Sequence, residues 1–79
     1  MKNLGPTIRK LRQKKWPHAN MKAFAKRLGV TSVTMSKIEN GHQPPSIPFL
    51  EKIAGELGCP VSHIVLIAEA DEKELIENL

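Results

Sequence analysis

The sequence predicts an all-α domain of five helices, followed by a sixth short helix or a helical extension. Three observations carry this prediction. Apolar residues recur at spacings of three and four along nearly the whole chain. β-branched residues occur singly, never in the alternating runs that mark a strand. Helix-starting Ser, Thr and Asn residues alternate in order with helix-ending Gly residues. At 79 residues the chain is a single domain, 1–79, whose core is small enough that every amphipathic face has to be used.

Thr7 is the expected cap of a first helix over 8–15, with Ile8 and Leu11 inward. That helix stops at Trp16-Pro17, because the residue before a proline avoids the α region. Asn20 caps a second helix, 21–28, and Gly29 closes it in a left-handed conformation. Thr31 caps a third, 32–39, ended by Gly41, with Val30 and Met35 at the spacing of a hydrophobic staple. Ser46 caps a fourth, 47–57. Pro48 then falls in the first turn, where its missing N–H costs nothing. Leu50, Ile53, Ala54 and Leu57 form the inner stripe of this helix, and Gly58 ends it. Ser62 caps a fifth helix, about 63–69. Asp71 with Glu74 makes a capping pair for a sixth, 72–78, or else the fifth and sixth run together.

Composition narrows the function. Hydrophobic residues at 41% and charged residues at 25% fit an ordinary globular domain. No apolar run is long enough to span a membrane, and the N-terminus lacks the pattern of a secretory signal. One cysteine, Cys59, rules out an internal disulfide, and with three scattered histidines it offers no metal-ligand spacing. The expected setting is reducing and cytoplasmic, with no metal and no cofactor. The charge is polarised. Residues 1–38 hold ten Lys and Arg and no acid, whereas residues 39–79 hold eight acids and two lysines. A half-chain of uncompensated positive charge is the footprint of a polyanion-binding surface.

The third helix is the informative one. On a helical wheel at about 100° per residue, Met35 and Ile38 take one side. Val33, Ser36, Lys37 and Asn40 take the other, with Ser32 and Thr34 flanking in the first turn. The outward face carries small polar groups, one methyl-bearing side chain and one lysine. No base lies beside a nucleophile, so an enzyme is not expected. The same groups suit the donors, acceptors and thymine methyl of DNA base edges. With the second helix, residues 21–40 meet the requirements of a helix-turn-helix: small Ala25 at a close crossing, Gly29 at the turn, and Phe24, Leu28, Val30, Met35 and Ile38 as shared core.

The stretch resembles the helix-turn-helix domain of phage repressors and Cro proteins, the xenobiotic-response-element class. The resemblance covers about residues 7–66 and rests on IRKLR (8–12), AKRLGVT (25–31), SKIENG (36–41), and PS (45–46) leading into LEKIAGELG (50–58). It implies five packed helices, a third helix lying in the major groove, and a two-fold dimer on a palindromic operator. It assigns base contacts to Ser32, Val33 and Lys37, against the plainer readings of an exposed valine and a solvated or phosphate-bound lysine. It assigns DNA-backbone contacts to Asn20, Met21, Thr31, Thr34, Ser36, Asn40 and His42, although Thr31 and Asn40 also read as caps. Met21 departs from the family, which often has Gln there. Arg12 and Glu39 match a pair that forms a partly buried ion pair in the family.

The connection KKWPHA (14–19) is longer than the family's usual one and carries Trp16. It reads either as a lid over the core edge or as a loop along DNA, with Lys14 and Lys15 on phosphates. The extension, residues 67–79, carries Ile67, Leu75, Ile76 and Leu79 among acids. With the fifth helix it is the expected homodimer surface, the alternative being intramolecular packing. Cys59, in a Gly-Cys-Pro turn, reads as a structural thiol. The expected partner is double-stranded DNA, bound by a transcriptional repressor. An antitoxin, which would also bind a toxin through the acidic half, is the main rival. Contact with polymerase would be needed for activation. An interaction module that does not read DNA is disfavoured by the basic half and Lys37.

Overall fold

The structure, a computed structural model, describes the backbone of residues 3–77 and the side chains of residues 3–70. Among the described residues there are five helices and no strand: α1 (Leu4–Lys15), α2 (Met21–Leu28), α3 (Ser32–Glu39), α4 (Ile47–Leu57) and α5 (Val61–Glu77). α1 packs on α3, α4 and α5, and α2 packs on α3 and α4. The core is assembled from Ile8, Phe24, Ala25, Leu28, Met35, Ile38, Leu50, Ile53, Ala54, Leu57, Ile64 and Ala68.

The three middle helices begin and end where their caps place them. The side-chain oxygens of Asn20, Thr31 and Ser46 accept from the backbone N–H groups of Ala23, Thr34 and Phe49. Each relieves one orphan donor of a helix start. At the other ends Gly29, Gly41 and Gly58 are left-handed. The N–H groups of the following residues return to carbonyls five positions back: Val30 to Ala25 at 3.0 Å, His42 to Lys37 at 2.8 Å and Cys59 to Ala54 at 3.1 Å. These are Schellman closures, which satisfy the last carbonyls without outside help.

Two elements differ from expectation. α1 starts at Leu4, a turn before the expected residue 8, so Thr7 lies inside the helix rather than capping it. Pro6 falls in the first turn, where no intrahelical N–H is needed. Gly5 is buried against the end of α3, and a Cβ there would collide with the backbone oxygens of Ile38 and Glu39. Gly5 is thus a contact point between α1 and α3. Thr7 is fully buried with its hydroxyl unpartnered among the described residues. At the other end, of the two courses left open, separate helices at 63–69 and 72–78 or one run, the structure has one helix, Val61–Glu77, which starts earlier than expected. It begins at Val61, so Ser62 sits in the first turn instead of before it, and no Gly or Pro interrupts it. As side chains, the Asp71–Glu74 pair and Leu75, Ile76 and Leu79 lie outside the described residues.

Candidate nucleic-acid interface

α3 is held by its inner face. Met35 and Ile38 enter the core, and Glu39 is buried beside them at 3% exposure. A carboxylate this deep requires a charged partner with good geometry. Arg12 of α1, itself 5% exposed, supplies it. Its Nε donates to Glu39 Oε2 at 2.8 Å and its Nη2 to Oε1 at 3.0 Å. The two-pronged contact fixes the end of α3 against α1, next to the place where Gly5 lets the backbones approach.

The outer face of α3 is open. Val33, Lys37 and Asn40 stand at spacings of four and three along one exposed stripe, and Val33 is 63% exposed. Ser32, Thr34 and Ser36 are half-buried along its borders. Thr31 Oγ1 accepts from the Thr34 N–H at 3.2 Å and donates to Thr34 Oγ1 at 3.1 Å, which ties the first turn together. Asn40 Nδ2 donates to Ser36 Oγ at 3.2 Å across the last turn. His42 is exposed just past the Gly41 closure.

Beside this face lies the start of α2. Asn20 is exposed, and its Oδ1 is occupied as the cap. Met21 is half-buried and packs against the core edge, so its side chain is not a polar contact, and what α2 presents there is backbone N–H. A cleft of about 260 Å³ at the junction of α1, α2 and α3 is lined by Arg9, Arg12, Met21, Ser36, Glu39 and Asn40. Arg9 is a lining residue that sequence reasoning missed, since nothing at its position in the chain points to α3.

The α1–α2 connection packs on the body of the domain. Trp16 is half-buried over the core edge, its ring 5.6 Å from that of Phe24 with the planes 47° apart. Lys15 Nζ lies 5.0 Å from the Trp16 ring centre and Arg27 Cζ lies 5.5 Å from it. Lys15 donates to the carbonyl of Glu56 at 3.0 Å, at the end of α4. A cation there offsets the negative pole of that helix. Lys14 is exposed but lines a groove with Leu11, Leu57, Cys59 and His63, on α1, α4 and α5. The lysine pair therefore belongs to the α1–α4–α5 side of the molecule. Arg27 Nε also meets Glu56 Oε2 at 2.9 Å, an exposed pair worth little by itself.

Among the described residues no three His, Cys, Asp or Glu side chains gather closely enough to hold a metal ion. Nor, among them, is any single helix long and apolar enough to cross a membrane.

A family model described as helix-turn-helix matches residues 8–64. The chain belongs to the Cro/repressor-type helix-turn-helix family. It is a DNA-binding transcription regulator of that class, whose fold is typically non-enzymatic. α2 and α3 are joined through the left-handed Gly29. Among solved structures, the clp gene regulator ClgR from Corynebacterium glutamicum is similar at 23% identity, with a TM-score of 0.79 over 89% of this chain and 88% of that one. A second crystal structure of the same regulator gives a TM-score of 0.78 at 23% identity, over 99% of this chain and 87% of that one. At this identity the likeness is one of fold. No curated protein matches the chain.

Proposed function

We propose that this helix-turn-helix protein is a sequence-specific repressor that binds a palindromic operator as a homodimer and acts by occupancy. The observation that carries the reading is the division of α3. Its inner face is locked by Met35, Ile38 and the Arg12–Glu39 pair, while Val33 and Lys37 stand free on a rigid outer face. Lys37 donates to guanine O6 and N7, Val33 meets a thymine methyl, and Ser32 reads either edge at the start of the helix. Thr31, Thr34, Ser36, Asn40, His42 and the N–H groups at the start of α2 flank these residues and suit backbone phosphates, which position the protein without specifying sequence. Dimerisation places two such faces on adjacent turns of the major groove.

Selection from a random duplex pool at physiological salt tests the proposal. The expected result is an enriched palindrome with half-site centres about 10 bp apart. Lys37→Ala and Val33→Ala then relax the preference at separate positions, Lys37→Ala by about 1–3 kcal/mol of discrimination. Uniform weakening on all sequences would make these residues phosphate contacts. An unenriched pool with binding lost at higher salt would reduce the basic half to a non-specific anchor.

A further inference from the structure

Arg9 stands on α1, one turn before Arg12, and is exposed. α1 otherwise serves the fold: Ile8 is core, Thr7 is buried and Arg12 holds α3. Arg9 instead lines the cleft between α1, α2 and α3, opposite Ser36 and Asn40 of the helix-turn-helix. The charge in that cleft is readily counted. Its one acid, Glu39, has both oxygens engaged by Arg12, so that pair is neutral. Arg9 has no hydrogen-bond or ion-pair partner among the described residues, which leaves its charge uncompensated.

The remaining groups offer hydrogens. Asn40 spends one amide hydrogen on Ser36 Oγ and keeps the other, and the Ser36 hydroxyl hydrogen is unused. Met21 opens α2, whose capping side chain has gone to Ala23, so the Met21 N–H has no acceptor among the described residues. A cleft with one spare guanidinium, spare donors and its only carboxylate neutralised selects an anion.

We propose that Arg9 holds a backbone phosphate of bound DNA in this cleft, so that α1 extends the interface formed by α2 and α3. The assignment rests on the DNA-reading proposal above. Arg9 contributes affinity and register, not sequence choice.

The test is binding of the Arg9→Gln, Arg9→Lys and Lys52→Gln proteins to a mixed-sequence duplex and to the selected operator at about 50 and 200 mM salt. Lys52 is an exposed lysine of α4 that does not line the cleft. One phosphate contact adds about 0.9 to the slope of log affinity against log salt, so over this fourfold range R9Q loses about 3.5-fold less affinity than the wild type. R9Q binds both duplexes more weakly at low salt and keeps the wild-type ratio between them. R9K restores the slope, and K52Q leaves it unchanged. Wild-type slope and affinity in R9Q would overturn the assignment while leaving DNA reading intact. An equal slope change in K52Q would also overturn it, by showing that net charge alone is responsible. Absence of any wild-type binding would remove the DNA-reading proposal and this one together. Melting temperature separates a structural role: a lowered Tm in R9Q with an unchanged slope would make Arg9 a fold residue.

Discussion

At the scale of single residues, the buried pair of Arg12 and Glu39 makes the sharpest demand. Neither charge has water to fall back on, so each depends on the other. Glu39→Gln keeps the shape and removes the charge, stranding the guanidinium. The expected cost is about 3–5 kcal/mol. For a domain of this size that lowers the melting temperature by more than about 10 °C. Differential scanning calorimetry decides the matter, and an unchanged Tm would mean that the pair contributes nothing to stability. This pairing was legible only through the resemblance, since Arg12 and Glu39 are 27 positions apart. The direction taken by Lys15 was not legible at all. Its long side chain follows a carbonyl 41 residues away, and local sequence carries no trace of that choice. Val33 and Lys37 lie at the other extreme: helical period alone places them outward.

At the scale of elements, α2, α3 and α4 are read to the residue because each has both a cap and a closing glycine in the chain itself. Asn20, Thr31 and Ser46 act within three residues, and Gly29, Gly41 and Gly58 act within five. α1 is misread at its start, where tertiary contact overrides a local signal. Thr7 has the look of a cap, yet α1 begins at Leu4 and its Gly5 is required by the end of α3. For α5 the chain leaves two courses open, a new start at Asp71-Glu74 or one continuous helix, and with no Gly or Pro between the two segments the helix runs on. The two kinds of helical glycine give opposite predictions. Gly5→Ala drives a methyl into the α3 backbone and is expected to destabilise by about 1–3 kcal/mol. Gly55→Ala, on exposed α4 with no atom near its absent Cβ, is expected to stabilise by about 0.5–1 kcal/mol. Chemical denaturation of the two variants checks both signs, and a stabilised G5A would refute the close contact.

At the scale of the whole molecule, the proposed homodimer needs an apolar surface, and α5 offers one. α5 buries Ile64 and Ala68 against its own chain but leaves Leu66 at 65% exposure. Val61, Val65 and Ile67 are only half-covered. A domain this small has few apolar groups to leave in water without use. If α5 is the dimer surface, Leu66→Glu dissociates the homodimer in sedimentation equilibrium and weakens operator binding, while the helical circular dichroism stays at the wild-type level. A wild-type protein that sediments as a monomer at every accessible concentration would remove the homodimer from the proposal. In the proposed assembly the polarity of charge would keep the acidic half away from a polyanion and turn the basic half towards it.

The position of Trp16 gives the chain an optical property. It is the one tryptophan, and the chain contains no tyrosine, so almost all the ultraviolet emission of this protein comes from a single indole. That indole rests on Phe24 beneath two cationic groups, at the seam between α1 and α2. Its colour and brightness therefore report one joint of the molecule. The protein carries an intrinsic fluorophore at the seam where its first helix meets its helix-turn-helix, so unfolding of that seam can be followed in real time without a label.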